Sequence, residues 1–325
     1  MPKILQGWLE NNDGSTVDVS NLLVSPELIL NIDLVENDQL SNLLKEKKGI
    51  FRALRYEYEA IGRRYQKQLA LSDKEYLINL PVNHYVEDIF GPNFIAAPFS
   101  LSRVYEKNEP FRNVVIDGFF NPDVLDSVVK DFPSPSEMGG KRFSSAHEKK
   151  YGSGTDIHHH VTPLVSDVIL ALTGELFRNW LLKVTKLKGL IADPLFKGAG
   201  LHQSQNGDKL DVHVDFNKLT GHPKLENVER RLNFLVYLNK DWNTDFGGQL
   251  EFWRKEDAKP AKKIDPEFNR AVLFEASSRS FHGHPNPVSG PRGISRKSLA
   301  SYYYTKSERK FYDFEGASPR TTEWL

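Results

Sequence analysis

Large apolar residues between Phe51 and Leu69 recur at steps of three and four: Phe51, Leu54, Tyr58, Ile61, Tyr65 and Leu69. That spacing predicts an amphipathic helix. Arg52, Arg55, Arg63, Arg64 and Lys67 lie largely off the stripe and read as a solvated basic face. Ahead of it, Thr16 to Val24 and Leu28 to Leu34 read as short strands broken by Ser25-Pro26. Gly91-Pro92 and Pro98 close this region, so residues 1–110 are expected to form an N-terminal mixed or helical extension of unassigned role.

A second unit, residues 111–315, opens on a strand from Val114 to Phe120. Asn121-Pro122 then supplies an N-cap and a proline at the first helical position, ahead of a helix over Val124 to Phe132. Residues 133–161 are rich in Ser, Gly, Lys and His, have no period, and read as a long loop. Its tract His158-His159-His160 reads as solvated loop. Thr162-Pro163 repeats the cap pattern before a helix to Leu172, and Glu175 to Val184 adds another turn or two.

From Leu190 the pattern changes to strands. Gly200 to Ser204, Lys209 to Val214, Leu232 to Leu238, Gln249 to Trp253, Arg270 to Phe274 and Leu299 to Tyr304 are short segments, most of them rich in β-branched or aromatic residues. Asn206-Gly207, Gly247-Gly248 and Pro285 to Gly293 separate some of them. Helices first and many short strands after predict an α+β fold: a jelly-roll barrel with flanking helices. Residues 316–325 are left as a C-terminal tail.

Composition narrows the chemistry. The 325 residues are 39% hydrophobic, enough for a real core. Lys+Arg and Asp+Glu both number 43, so net charge gives no reason to expect nucleic acid or an acidic membrane as partner. There is no cysteine, which excludes disulfides, thiolate zinc sites and Fe–S clusters. Any metal must be held by His, Asp or Glu. The first residues lack the apolar core of a signal peptide, and no run reaches the roughly 18 apolar residues of a membrane span. A cytoplasmic protein is the expectation.

The sharpest local signal is Val212-His213-Val214-Asp215. In a strand, residues i and i+2 point to one face, roughly 6.6–7 Å apart at Cα, so an imidazole and a carboxylate can converge on one cation. Ser280-Phe281-His282-Gly283-His284 offers the third ligand, from His282 or from His284 on the same face. Two histidines and a carboxylate on one side of a metal leave open positions for a bidentate co-substrate and O₂, the facial arrangement of non-haem Fe(II) oxygenases. Arg296 and Ser298 alternate on the final strand, where a guanidinium can grip a carboxylate through two parallel hydrogen bonds. Arg292, in a Pro/Gly turn, is the alternative.

These residues carry a resemblance. Gly200-Leu-His-Gln-Ser, His213-Val-Asp-Phe-Asn, Arg230-Arg-Leu-Asn-Phe-Leu-Val-Tyr-Leu-Asn, Asp245-Phe-Gly-Gly-Gln-Leu-Glu-Phe-Trp, Phe268-Asn-Arg-Ala-Val-Leu-Phe and Ser280-Phe-His-Gly-His-Pro resemble the 2-oxoglutarate/Fe(II)-dependent dioxygenases, in their prolyl-4-hydroxylase-like branch. The resemblance implies a double-stranded β-helix. It implies that His213, Asp215 and His282 hold Fe(II), and that Arg296, Ser298 and Tyr237 meet the distal carboxylate of 2-oxoglutarate. It also implies that Gln203 faces that co-substrate. An intact Asp215 favours hydroxylation over halogenation. The implied reaction couples oxidation of a substrate C–H bond by O₂ to decarboxylation of 2-oxoglutarate to succinate, with ascorbate as a stimulant. The substrate that the resemblance implies is a peptidyl-prolyl group or a small molecule. Asn233 and Arg231 share the strand parity of Tyr237 and are expected to face the barrel interior. The rival reading is a non-catalytic β-barrel binding module on the same scaffold.

Overall fold

A computed structural model describes residues 3–22, 51–60, 63–70, 88–96, 98–306 and 321–325. The chain divides into two units, residues 1–88 with 163–168 and residues 89–162 with 169–325.

The first unit is a four-stranded antiparallel sheet in the order β2-β1-β3-β4, built from β1 (Lys3–Asn11), β2 (Thr16–Asp18), β3 (Phe51–Ala60) and β4 (Arg63–Ala70). The expected helix over Phe51 to Leu69 is therefore two paired strands, in register from Ala53↔Ala70 to Ala60↔Arg63. Leu54-Arg55-Tyr56-Glu57-Tyr58-Glu59 also alternates apolar with charged, the period of a strand. Leu54 is buried while Arg55 and Glu59 are exposed, so period two prevailed over the three-and-four spacing. The segment Leu28 to Leu34 lies outside the described residues.

In the second unit, helices Pro92–Ala96, Pro98–Lys107, Pro122–Lys130, Pro163–Ala171 and Glu175–Thr185 punctuate the run toward the strands; the first six residues of Pro163–Ala171 group with the first unit. Asn121 caps Pro122–Lys130 as its sequence predicts, its side chain accepting from the Asp123 N–H. The strands are β5 (Asn113–Asp117), β6 (Lys141–Ser144), β7 (Lys149–Gly152), β8 (Ile191–Ala192), β9 (Gly200–Gln205), β10 (Leu210–Val214), β11 (Val228–Tyr237), β12 (Leu250–Trp253), β13 (Lys262–Ile264), β14 (Arg270–Glu275), β15 (Phe281–His284), β16 (Ser295–Lys306) and β17 (Glu323–Trp324).

One sheet runs β5-β14-β11-β16-β9-β7-β6, with β8 beside β16; the other runs β13-β12-β15-β10-β17. From β9 to β16 the chain passes back and forth between the two sheets. This is a double-stranded β-helix. The sheets face each other through Tyr237, Leu250, Phe252, Ile264, Val272 and Phe274, with Phe252 and Phe274 ring centroids 5.2 Å apart. Within 133–161, read as loop, β6 and β7 pair as a hairpin on the edge of the larger sheet. Edge strands carry charge rather than an apolar face, which is why this pair shows no period. At the other end, β17 pairs with β10, so the smaller sheet continues into the segment assigned to a tail.

Phe234 on β11 points to the opposite face from Asn233, toward an aromatic cluster with Phe119, Phe177 and Tyr303. Phe177 is fully buried, 5.0 Å from Phe234 and stacked on Trp180. Phe177→Ala is expected to cost about 3–5 kcal/mol, the usual range for deleting a buried ring. Equilibrium denaturation measures it, and a cost below about 1 kcal/mol would show that the cluster does not hold the helix to the sheet.

Candidate metal centre and anion pocket

Strand register brings the two histidines together. β10 and β15 are antiparallel neighbours, and His213 lies directly opposite His282, so both side chains leave the same face. Asp215 follows one residue after β10 ends. The ligand atoms of His213, Asp215 and His282 all lie within 4.8 Å of one another. Each imidazole is oriented alike: His213 Nδ1 is 2.9 Å from the Asp211 carbonyl and His282 Nδ1 is 2.8 Å from the Ser280 carbonyl. With Nδ1–H donating to a carbonyl, Nε2 keeps its lone pair for a cation. The Nε2 atoms stand 3.7 Å and 3.5 Å from the Asp215 oxygens.

Protonation favours a cation as well. Burial pushes His282 down to about 4 against the pull of Asp215, so its ring is neutral at physiological pH. Burial alone would raise Asp215, but the Arg230 guanidinium and both imidazoles hold its carboxyl well below the usual carboxylate range. His284, the rival for the third position, sits opposite Leu210 rather than His213 and is not part of the cluster. It is buried, and its Nδ1 has no hydrogen-bond partner.

Beside the cluster lies a buried cation. Arg296 is 6% exposed, donates from Nε to the Gly248 carbonyl at 2.7 Å and from Nη2 to the Tyr237 hydroxyl at 3.2 Å. It has no carboxylate partner among the described residues, a costly arrangement unless an anion binds there. Ser298 lies opposite both Tyr237 and His202 and so shares their face. Gly248 needs its φ of +67°, and a Cβ there would stand 3.0 Å from Arg296 Cδ. Arg292 is exposed in its turn.

Gln203 does not join this pocket. It lies opposite Lys297 and Tyr151, on the face away from Arg296, and donates to Ser295 Oγ at 2.8 Å. His202 takes the inward place. Burial, with Lys150, Arg296 and Arg230 nearby, pushes His202 down to about 3. Lys150 on β7 completes the basic lining, with its ammonium 3.4 Å from Glu148. Arg231 is displaced too: β11 is irregular between Arg230 and Leu232, and it is Arg230 that reaches Asp215. Lys150 lies in no motif, and within Gly200-Leu-His-Gln-Ser only the register of β9 with its neighbours singles out His202 over Gln203.

The unfolded chain protonates imidazole near pH 6.5, whereas His202 and His284 stay neutral in the fold. The stability they contribute is complete above that value and is lost as pH falls toward their folded values, because the unfolded chain takes up protons the fold excludes. Metal-free protein should therefore unfold at lower temperature at about pH 5 than at about pH 7. His202→Asn should flatten that difference. A midpoint that does not move over this interval would contradict the assignment.

β17 closes the edge of β10. Trp324 lies opposite His213, its ring 5.2 Å from the His213 ring and stacked on His147 at 4.6 Å. His158 and His159 lie against each other in a short 3-10 turn and take no part in the cluster.

Residues 199–304 match the model of the 2OG-Fe(II) oxygenase superfamily. Among curated proteins, the chain is 28% identical over 220 residues to prolyl 3-hydroxylase OGFOD1 of Mus musculus, a match covering 65% of this chain and 36% of that protein. It is 30% identical over 134 residues to the Xenopus laevis protein of the same name, covering 39% of this chain and 23% of that one. The match thus spans little more than a third of one curated relative and under a quarter of the other. A prolyl hydroxylase of Trichoplax adhaerens, solved with a hypoxia inducible factor peptide, superposes with a TM-score of 0.44 at 19% identity, covering 64% of this chain and 90% of that one. The segment 199–304, which matches the 2OG-Fe(II) oxygenase superfamily, is the one that carries the His-Asp-His cluster and the buried arginine.

Proposed function

We propose that the chain is an Fe(II)- and 2-oxoglutarate-dependent hydroxylase acting on a prolyl residue of a protein substrate. The observation that carries the reading is two imidazoles and a carboxylate converging within 4.8 Å of one another, with a buried arginine that has no carboxylate partner among the described residues. The donor set suits Fe(II): two nitrogens, one carboxylate and no thiolate. His213, Asp215 and His282 would hold it. Arg296, with Tyr237 and Ser298, would hold the distal carboxylate of 2-oxoglutarate. Fe(II), when bound, supplies the chemistry that couples decarboxylation of 2-oxoglutarate to oxidation of a C–H bond by O₂. The protein's own part is orientation. The Nδ1 bonds fix the imidazoles, and the Phe274 ring packs edge-on against His282 at 4.7 Å. The name prolyl 3-hydroxylase on the relatives supports the choice of a prolyl target.

Incubation with Fe(II), 2-oxoglutarate, ascorbate and a proteome digest should release succinate and yield peptides heavier by one oxygen atom at proline. Failure to bind Fe(II) and 2-oxoglutarate in calorimetry would instead favour a non-catalytic module. Modified free metabolites with no modified peptide would move the substrate to a small molecule.

A further inference from the structure

Strand alternation sends residues three apart to opposite faces, yet Arg230 and Asn233 both reach Asp215. The irregularity in β11 is the cause. Arg230 lies opposite Tyr304, but Leu232 lies opposite Tyr303 and Asn233 opposite Tyr302, so one extra residue is inserted between Arg230 and Leu232. A bulge of this kind re-aims the side chain beside it.

Distance alone does not choose between the Asp215 oxygens, since Oδ1 is 3.7 Å from His213 Nε2 and Oδ2 is 3.5 Å from His282 Nε2. What differs is that Oδ2 carries a hydrogen bond from Asn233 and an ion pair with Arg230. Asn233 Nδ2 donates to Asp215 Oδ2 at 2.8 Å, and Arg230 Nη2 lies 3.2 Å from the same oxygen. Arg230 Nε donates to Asn233 Oδ1 at 2.8 Å, which fixes the amide with its nitrogen toward Asp215. Arg230 and Asn233 are 4% and 1% exposed. The guanidinium lies 3.5 Å from the centre of the Tyr302 ring and 5.0 Å from that of Phe216, which restrains it in this pose.

Resting on the hydroxylase reading, we infer that Arg230 and Asn233 are positioning residues that keep Asp215 a single-oxygen ligand, holding Oδ2 so that Oδ1 meets the metal. A carboxylate left to rotate can chelate a cation with both oxygens. It would then take a coordination position that a bidentate co-substrate and O₂ need. The amide's hydrogen bond and the charge of the guanidinium make Oδ2 the poorer donor and fix its direction.

The test compares wild type, Asn233→Ala and Arg230→Lys with Co(II) as probe, reading metal affinity, the visible Co(II) spectrum and 2-oxoglutarate affinity at saturating Co(II). Both variants should bind Co(II) about 10- to 100-fold more weakly, the range for lost outer partners of a metal ligand. They should also show an altered Co(II) band and a weakened response to 2-oxoglutarate. A merely structural role would lower the unfolding midpoint without moving the spectrum of the Co(II)-loaded fold. If Asn233→Ala does not fold, Arg230→Lys, which keeps the buried charge, decides alone. Wild-type spectrum and affinities in a folded variant overturn the inference and leave the hydroxylase reading intact. Wild-type protein that takes up no Co(II) overturns both.

Discussion

His213→Ala and Asp215→Ala are each expected to reduce turnover to background and to strip metal affinity. Three protein atoms hold the proposed cation, all within 4.8 Å of one another, so removing one leaves two donors and a water-filled position. Asp215→Ala should be the more severe. It deletes the one anionic donor of the cluster and leaves the buried Arg230 without the carboxylate it pairs with at 3.2 Å. Breaking one side of a buried ion pair typically costs about 3–5 kcal/mol, so stability must be followed separately. Asp215→Asn keeps the shape and isolates the charge. Equilibrium dialysis with Fe(II) under anaerobic conditions checks the metal, and succinate release checks turnover. His284→Ala is the control, because His284 sits opposite Leu210 and outside the cluster. Metal retained in His213→Ala, or lost in His284→Ala but kept in His282→Ala, would refute the ligand set.

The barrel was legible in the sequence because most of its strand segments are rich in β-branched or aromatic positions and turn residues separate some of them. The closeness of His213 and Asp215 was legible for a simpler reason: a strand's period of two sends them to one side, and Asp215 keeps that side although it lies just past the end of β10. What could not be read is whatever depends on a partner strand. Gln203 and His202 are neighbours in sequence, and only pairing with β16 decides that His202 is the one beside Ser298. Parity counted from Tyr237 selects Arg231, but one inserted residue exchanges it for Arg230. The hairpin of β6 and β7 has no apolar face to announce it, since it holds an edge. Trp324 reaches His213 across a pairing that no local pattern encodes. The reading of Phe51 to Leu69 failed differently. Both periods fit those residues, and the charged positions Arg55, Glu57 and Glu59, which alternate with Leu54, Tyr56 and Tyr58, were the better guide.

Arg296→Ala should raise the 2-oxoglutarate requirement steeply while leaving metal affinity close to wild type. The guanidinium is buried and held by Gly248 and Tyr237. It is thus preorganised, and little ordering cost remains when a carboxylate arrives. Removing one partner of a buried charge-assisted contact costs about 2–5 kcal/mol. That is roughly 30- to several-thousand-fold in affinity. Arg296→Lys should recover only part of it, because an ammonium cannot reproduce the planar fork. Arg292→Ala, in an exposed turn, should change nothing. A thermodynamic cycle makes the assignment specific. Wild-type protein should prefer 2-oxoglutarate over a 2-oxo monocarboxylate of similar length, which lacks the distal charge. In Arg296→Ala that preference should collapse, because neither ligand then meets the guanidinium. A variant that still separates the diacid from the monoacid must hold the distal carboxylate through another cation, and Lys150 would be the next to replace.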